Sequence, residues 1–244
     1  MNATLFDKDI FKLFVHPGEV VEVRIPQVYG KSVAWGNGFA KGVVSGYFDD
    51  HQAFCDAVKH ADKYTHSGIY FTLQVIDPRL IGRAFNRLKP SNLTTSDNNV
   101  IAYRWLPVDI DPVRPAGVSA SDNELEQSLQ LRDEVAARII KKLKFPEPIK
   151  AVSGNGGHLL FKLDDMPVSD QSKGFIEDTL KGVSGACDTE TVKIDMKVFN
   201  PGRIWKLYGT TARKGDNIPA GKYRQARPHR MAFIDGLGEF NARI

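Results

Sequence analysis

The chain has 244 residues, of which 42% are hydrophobic and 25% are charged, and its formal net charge is +4. This composition is that of an ordinary globular protein, long enough for one large domain or two closely packed lobes. No apolar run approaches the ~20 residues of a membrane span, and the N-terminus lacks the basic-then-apolar order of a signal peptide, so we expect a cytoplasmic protein without a membrane partner. The two cysteines, Cys55 and Cys187, stand alone, so we expect neither disulfides nor zinc.

The first half of the chain predicts alternating strands and helices. Residues 20–25 alternate with period two, as a half-buried strand does. Asp49 or Asp50 can cap the helix that follows. Its predicted apolar face consists of Phe54, Ala57, Val58 and Ala61. Residues 69–76 predict a second strand, and the polar, turn-rich residues 89–99 predict a surface connection.

The longest predicted elements lie in the middle of the chain. Residues 100–110 form an apolar run that Pro112 and Pro115 bring to an end, which predicts a strand. Ser121 and Glu124 have the spacing of a capping box, so a helix should begin there and end before Pro146. Its predicted apolar stripe consists of Leu125, Leu129, Ala136, Ile139, Ile140 and Leu143.

The remaining elements follow a glycine-rich turn. Residues 149–153 and 158–163 bracket Gly-Asn-Gly-Gly, which predicts a β-hairpin. A polar helix is expected near residues 169–180, with further strands around 192–194 and 203–208. The chain shows no internal repeat and no low-complexity linker.

Carboxylates at the ends of predicted strands give the first functional hypothesis. Asp109 and Asp111 share parity, so both should project from one face of their strand, about 6 to 7 Å apart along it. Mg²⁺ and Mn²⁺ prefer oxygen ligands and leave room for phosphate oxygens. Asp188, Glu190 and Asp195 compete as a third acid; Asp195 is preferred because apolar residues mark its strand.

A basic segment follows the third acid. Residues 197–230 contain nine Lys or Arg and one acid, a net charge of +8. The segment also carries Phe199, Trp205, Tyr208 and Tyr223, a combination that suits phosphate neutralisation and base stacking. A solvated basic face is the alternative.

These motifs, in this order and spacing, resemble the archaeo-eukaryotic primase superfamily, and within it the primase-polymerases of plasmids, phages and CRISPR-associated loci. The family pattern is a hydrophobic strand ending in Asp-x-Asp, a small-x-His strand and a hydrophobic-Asp strand. The chain matches it with LPVDID ending at Asp111, GGH ending at His158 and VKID ending at Asp195. The block NPGRIWKLYGT with Lys214 after it, and the earlier segment GIYFTL followed by Arg83 and Asn86, are also similar to the family.

The resemblance implies an α+β fold of two intimate lobes, an N-terminal α/β lobe and a catalytic lobe built on an RRM-like antiparallel sheet. Residues 1–244 would form a single catalytic domain, with an N-terminal part of about residues 1–98 and a catalytic core of about 99–235. The implied activity is that of a DNA primase or DNA-directed polymerase, which synthesises primers or extends them by two-metal-ion catalysis with Mg²⁺ or Mn²⁺. The implied partners are a single-stranded DNA template, a primer strand, NTP or dNTP, and a helicase or another replication or CRISPR-associated protein.

Site residues are also implied by the resemblance. The catalytic and metal-binding residues would be Asp109, Asp111 and Asp195. The nucleotide would contact Ser153, Asn155, Gly157, His158, Arg203, Lys206 and Lys214. Nucleic acid would contact Lys222, Arg224, Arg227 and Arg230.

Two other classes of function remain open at this stage. A phosphohydrolase of the haloacid-dehalogenase type is one, because residues 108–113 satisfy that class's Asp-x-Asp-x-Val opening with Asp109 as nucleophile. About a hundred residues precede that motif, whereas the class needs it near a chain start. A non-catalytic nucleic-acid-binding module, such as a replication initiator, is the other. The preference between ribonucleotides and deoxyribonucleotides, and the oligomeric state, are not specified by the sequence.

Overall fold

The computed structural model describes residues 3–236 of the chain. Its α-helices are α1 (Lys8–Phe14), α2 (His51–Tyr64), α3 (Asp122–Leu143) and α4 (Asp170–Cys187). Its strands are β1 (Val21–Lys31), β2 (Phe39–Phe48), β3 (Tyr70–Thr72), β4 (Val75–Ile76), β5 (Lys89–Pro90), β6 (Val100–Pro112), β7 (Ile149–Val152), β8 (Gly157–Pro167), β9 (Val192–Ile194), β10 (Ile204–Lys206), β11 (Thr211–Ala212), β12 (Arg230–Met231) and β13 (Phe233–Ile234).

Two larger antiparallel sheets organise most of these elements, and β11 pairs with β12 in a third, two-stranded sheet. The first has the strand order β10-β3-β1-β2-β5, and the second has the order β13-β7-β8-β6-β4, with β9 also pairing with β6. Within the second sheet, β6-α3-β7-β8-α4-β9 forms a β-α-β-β-α-β unit whose strands lie in the order β9-β6-β8-β7. The expected α+β class with an RRM-like antiparallel sheet is therefore confirmed.

The two sheets exchange strands between the two halves of the chain and pack on one common core. β4 comes from the N-terminal part of the chain but pairs with β6, whereas β10 comes from the C-terminal part and pairs with β3. Phe14 of α1 bridges them, because its ring lies 5.5 Å from the ring of Phe71 in β3 and 5.2 Å from that of Trp105 in β6. One continuous hydrophobic cluster contains all three side chains.

Side-chain caps begin the three longer helices. The Asp50 carboxylate accepts a hydrogen bond from Ala53 N at 2.7 Å and begins α2. Ser121 and Glu124 form the predicted capping box of α3, and Ser169 with Ser172 forms another at α4. The residues that cap α2 and α3 can thus be identified from the sequence.

The predicted apolar stripe of α3 is partly wrong. The buried side chains are Ser128, Leu131, Arg132, Val135, Ala136 and Ile139, whereas Leu125 and Leu129 are half-buried and Leu143 is exposed. Polar residues occupy the inward face because they have partners there: Ser128 Oγ donates to Ile110 O at 2.6 Å, and Arg132 Nη1 donates to Ala151 O at 3.1 Å.

The predicted strand 69–76 is divided between the two sheets. Gln74 lies between β3 and β4, where its side-chain amide, in place of its backbone, forms hydrogen bonds with the backbone of β6. Its Oε1 accepts from Arg104 N at 2.8 Å, and its Nε2 donates to Trp105 O at 2.9 Å. α4 continues seven residues beyond its predicted end, to Cys187. Among residues 3–236, no helix is both long and apolar enough to cross a bilayer.

Candidate active site

Asp109 and Asp111 project from one face of β6 into a cavity of about 270 Å³. Ile110, between them, points the other way and is fully buried. The alternation of a strand produces this arrangement, which agrees with the parity of the two acids. The cavity is also lined by Tyr70, Arg114, Ser153, Asn155, His158, Asp195, Val198, Arg203, Ile204, Trp205, Lys206, Ala212 and Lys214.

His158 lies directly opposite Asp109 in the β6–β8 ladder. Its Nε2 is 3.3 Å from Asp109 Oδ1. Gly156 permits this close approach, because a Cβ there would lie 2.4 Å from Ile110 O and 2.9 Å from Asp111 Oδ1. Any larger residue would displace the strand that carries both acids.

A buried aromatic pair holds the other side of His158. Tyr208 Oη lies 2.9 Å from His158 Nδ1, and Trp205 Nε1 donates to Tyr208 Oη at 2.7 Å. The indole ring lies on the imidazole, with centroids 4.1 Å apart. Burial raises the pKa of Tyr208, so its hydroxyl keeps its proton. His158 is therefore fixed from two sides.

Asp195 is attached to the same strand through the backbone. Its N–H donates to Asp109 O at 2.8 Å, next to the pairing of β9 with β6. Its carboxylate accepts from Lys197 N at 2.8 Å and begins a short 3₁₀ turn, Met196–Phe199. Asp188 is instead used to hold Ile194 N, at 3.0 Å, and does not line the cavity.

The two β6 carboxylates have unequal acidity. Burial and the neighbouring Asp109 charge raise the pKa of Asp111 to about 6. Burial would also raise the pKa of Asp109, but the hydrogen bond and charge of His158, with Lys214 and Arg114, lower it overall. Within the described part of the chain, no three His, Cys, Asp or Glu side chains are grouped closely enough to hold a metal ion by themselves.

Predicted cations lie on the other walls of the cavity. Lys206 is almost fully buried, and its Nζ donates to Ile69 O, Thr210 Oγ1 and Thr211 O. Burial lowers its pKa to about 7, and the negative charge of Asp62 acts in the opposite direction. Arg203 and Lys214 line the cavity as well, so the structure brings all three predicted cations together.

The glycine-rich turn has a structural role besides lining the cavity. Ser153 Oγ accepts from Gly156 N at 2.9 Å, and Asn155 Oδ1 accepts from Ala120 N at 2.8 Å. Asn155 Nδ2 also donates to Lys214 O at 3.4 Å, which ties the turn to the segment that carries Lys214. Gly157 does not line the cavity, because its N–H donates inward to Ser128 Oγ at 2.9 Å.

Several lining residues were missed by sequence analysis. Arg114 Nη1 lies 3.6 Å from Asp111 Oδ1, and its position three residues beyond Asp111 was the available signal. Tyr70 reaches the cavity from β3; it lies in the GIYFTL segment, to which the sequence analysis gave no role in the site. Of the aromatic residues considered for base stacking, Tyr208 is fully buried and does not line the cavity. Trp205 lines the cavity, with its ring packed against the imidazole of His158.

The four basic residues at the end of the segment fall into two pairs. Arg227 makes two 2.7 Å hydrogen bonds to the Glu124 carboxylate, and Arg230 pairs with Asp122. Both carboxylates lie in the first turn of α3. Lys222 and Arg224 are exposed, beside Tyr223, which is 90% exposed. None of the four lines the cavity.

Comparison with known proteins gives a distant structural likeness. No family model matches the chain, and no curated protein sequence matches it. A similar solved structure is the polymerase domain of Ligase D from Mycobacterium tuberculosis, in complex with DNA. The likeness has a TM-score of 0.45 and 16% sequence identity, and it covers 91% of this chain and 80% of that one. A likeness this distant carries no argument about activity.

Proposed function

We propose that the chain is a template-directed nucleotidyltransferase of the primase-polymerase type, which joins nucleotides on single-stranded DNA. The observation that supports this proposal is the meeting of Asp109, Asp111 and Asp195 with Arg203, Lys206 and Lys214 in one cavity. Acids on one wall and cations on another suit a substrate that carries a triphosphate. The cavity volume is near the lower end of small-molecule sites, which span roughly 300–1,000 Å³.

The carboxylate wall fits a divalent cation that is shared with substrate. Mg²⁺ is commonly held by one or two carboxylates together with phosphates and water, so a three-acid cage is unnecessary. Burial, and after it the neighbouring charge of Asp109, raise the pKa of Asp111, and a cation bound there would favour its ionised form. Asp109 and Asp111 would hold Mg²⁺ or Mn²⁺, with Asp195 adjacent. The ion would supply Lewis-acid charge at the phosphate and at the attacking hydroxyl.

The basic wall would bind the triphosphate. Arg203 offers planar donors for phosphate oxygens, and Lys214 adds a charge that also acts on Asp109. Lys206 is rigid, since its amine already has three acceptors. In the proposed reaction, a primer 3′-hydroxyl oxygen forms a bond to the α-phosphorus, the hydroxyl proton leaves, and the bond to pyrophosphate breaks.

His158 would act between the two walls. Its Nε2 contacts Asp109. A phosphate oxygen could replace that contact, because the imidazole is held from behind by Tyr208 and needs no movement of its strand. We propose that His158 donates a hydrogen bond to the triphosphate, which positions the α-phosphorus.

The test is nucleotide incorporation on single-stranded DNA, with and without an annealed primer, in Mg²⁺ or Mn²⁺ and with labelled NTP or dNTP. Asp109→Asn should reduce incorporation by about 10²-fold or more, because metal-borne charge stabilisation is worth several kcal/mol. Asp178→Asn is the matched control, since Asp178 is an exposed acid on α4. Its incorporation should equal that of the wild type.

Two results would contradict the proposal. The first is wild-type incorporation by Asp109→Asn at matched thermal stability. The second is turnover of small phosphate monoesters with a phosphorylated Asp109 in mass spectra, which would establish the phosphohydrolase alternative. DNA binding without any incorporation would leave the non-catalytic binding module.

A further inference from the structure

The tip of the β1–β2 hairpin carries an exposed surface that the proposed active site does not use. We call Tyr29, Lys31, Phe39 and Lys41 the hairpin platform. Tyr29 pairs with Lys41 across the hairpin, and Lys31 pairs with Phe39, so all four side chains share one face. Tyr29 is 79% exposed and Phe39 is 53% exposed, and their rings meet edge to face with centroids 5.4 Å apart.

The hairpin that carries the platform is well supported from its other face. Val28 and Ala40 point inward and are buried, as is Trp35 at the tip. Trp35 Nε1 donates to Gly38 O at 2.9 Å, and Ser32 caps the tip turn through Ala34 N. The core therefore does not need Tyr29 or Phe39, and their exposure is not a consequence of fraying.

A β-bulge turns the platform toward the side of the sheet that bears the active site. The pairing register shifts between Pro26 and Val28, and the extra residue, Gln27, has a left-handed backbone with φ of 57°. Without this extra residue, Tyr29 and Arg24 would lie on opposite faces because they are five residues apart. With it, the cross-strand pairs put Tyr29 on the face of Arg24.

The same face continues into the cavity. Arg24 pairs with Tyr70 of β3, and Tyr70 pairs with Lys206 of β10. Tyr70 and Lys206 both line the cavity. From Arg24 to Tyr29 the strand advances roughly 15 Å at about 3.3 Å per residue, so the platform lies beyond the rim of the cavity and on its side of the sheet.

The residue types of the hairpin platform indicate which class of molecule it binds. No acid occurs between Glu22 and Asp49, a stretch that carries Arg24, Lys31 and Lys41. Lysine is depleted in the cores of protein interfaces, whereas aromatic rings beside cations are the means by which proteins hold unpaired bases and their phosphates. We infer that the hairpin platform binds single-stranded nucleic acid, with bases stacked on Tyr29 and Phe39 and phosphates beside Lys31 and Lys41. That this strand is the template rests on the proposed function.

Fluorescence anisotropy with a labelled mixed-sequence DNA single strand tests the inference. Tyr29→Ser/Phe39→Ser should weaken binding by about 30-fold or more, because it removes two rings and stacking is worth about 1–3 kcal/mol per base. Lys31→Gln/Lys41→Gln should flatten the plot of log affinity against log salt by roughly 0.7 for each phosphate that the protein no longer neutralises. Phe175→Ser, which removes an exposed ring from α4, should bind as the wild type does.

A second measurement is independent of any substitution's effect on folding. Photocrosslinking of iodouracil-substituted single strands to the wild type should place a crosslink on Tyr29 or Phe39 in peptide mass spectra. Unchanged anisotropy in both double variants, or crosslinks only elsewhere, would overturn the inference. So would a dimer that the aromatic double variant converts to a monomer in light scattering, since the platform would then bind a second copy.

The outcomes for the platform and for the proposed function are separable. Asp109→Asn should lose incorporation and keep single-strand binding, whereas Tyr29→Ser/Phe39→Ser should lose binding. If the wild type incorporates no nucleotide but Tyr29→Ser/Phe39→Ser loses single-strand binding, the platform is supported and the proposed function is contradicted. Unchanged binding in that variant, with incorporation abolished by Asp109→Asn, would do the reverse.

Discussion

The hydrogen bonds around His158 indicate which of its two ring nitrogens carries the hydrogen. An indole N–H can only donate, so Tyr208 Oη accepts from Trp205, and its own hydrogen is then free to point at His158 Nδ1. Among the described residues His158 Nδ1 is the one acceptor within reach of that hydrogen, so we assign Nδ1 as the acceptor and place the imidazole hydrogen on Nε2, directed at Asp109. Two buried aromatic residues thus prepare the imidazole to donate into the cavity.

Removal of the Tyr208 hydroxyl should disturb that assignment. Tyr208→Phe leaves the Trp205 indole N–H and His158 Nδ1 without their buried partner, which should cost about 1–3 kcal/mol in the free energy of unfolding. Nitrogen NMR of the His158 ring should show loss of the single Nε2-protonated form. Tyr223→Phe, at an exposed ring, should change neither quantity. An unchanged tautomer in Tyr208→Phe would show that the Tyr208 hydroxyl does not determine which ring nitrogen of His158 carries the hydrogen.

Asp111 should make stability depend on pH. Its pKa is raised to about 6 in the folded state, so between about pH 4 and 6 the folded protein holds a proton that the unfolded chain releases. Stability from this group therefore falls as pH rises through that window and stays low above it. Without divalent cations, Asp111→Asn should gain melting temperature relative to the wild type as pH rises from 4 to 7.

Addition of Mn²⁺ at pH 7 should reverse the difference in melting temperature between the wild type and Asp111→Asn. The wild type should be stabilised because the cation binds the folded state, whereas Asp111→Asn should respond much less. Asp178→Asn, at an exposed acid, should respond to pH and Mn²⁺ as the wild type does. An identical Mn²⁺ response in wild type and Asp111→Asn would exclude Asp111 as a ligand.

At the scale of elements, local signals were reliable and sheet membership was not. Capping residues and strand periodicity are encoded within a few neighbouring positions, so the starts of α2 and α3 and the hairpin β7–β8 could be predicted. The membership of β10 in the first sheet could not be predicted, because it depends on the pairing of Ile204–Lys206 with Tyr70–Thr72, which lie more than 130 residues earlier in the chain. The buried face of α3 could not be predicted from apolar residues alone, because polar residues also lie on it.

The bulge in β1 offers a test at this scale. Gln27 has a left-handed backbone, which costs a non-glycine residue about 1–2 kcal/mol. Gln27→Gly should relieve that strain, less the ~0.5–1 kcal/mol that glycine loses on folding, and leave a gain of up to about 1 kcal/mol. Gln27→Val should be destabilising, because a β-branched residue tolerates positive φ poorly. Chemical denaturation of the two variants measures both, and equal stabilities would argue against the bulge.

At the scale of the whole molecule, spaced motifs predicted the acids, the histidine and the three cations that line the cavity, but not the aromatic residues around His158. Asp109, Asp111, His158 and Asp195 are neighbours through strand pairing, which hydrophobic runs ending in acids can suggest. Tyr70 comes from the other sheet, and Tyr208, one of the four aromatic residues considered for base stacking, is fully buried beside His158. Burial is a property of the complete fold, so composition alone could not separate a structural aromatic from a binding one.

The basic segment should divide into structural and binding residues. Arg227 and Arg230 are already engaged with the first turn of α3, whereas Lys222 and Arg224 are exposed. Arg227→Ala/Arg230→Ala should therefore lower the free energy of unfolding by about 1–3 kcal/mol, because it breaks charge-assisted hydrogen bonds. The salt dependence of DNA binding should change little in that variant.

Lys222→Ala/Arg224→Ala should behave in the opposite way. If these side chains track template phosphates, their removal should weaken binding to all single-stranded sequences and reduce the salt slope by roughly 0.7 for each phosphate they neutralise. The Michaelis constant for nucleotide should hold, because neither residue lines the cavity. Filter binding across a salt series, beside denaturation of both double variants, measures all of these quantities. An unchanged slope in Lys222→Ala/Arg224→Ala would make these residues solvated surface and leave the acids and His158 as the proposed catalytic centre.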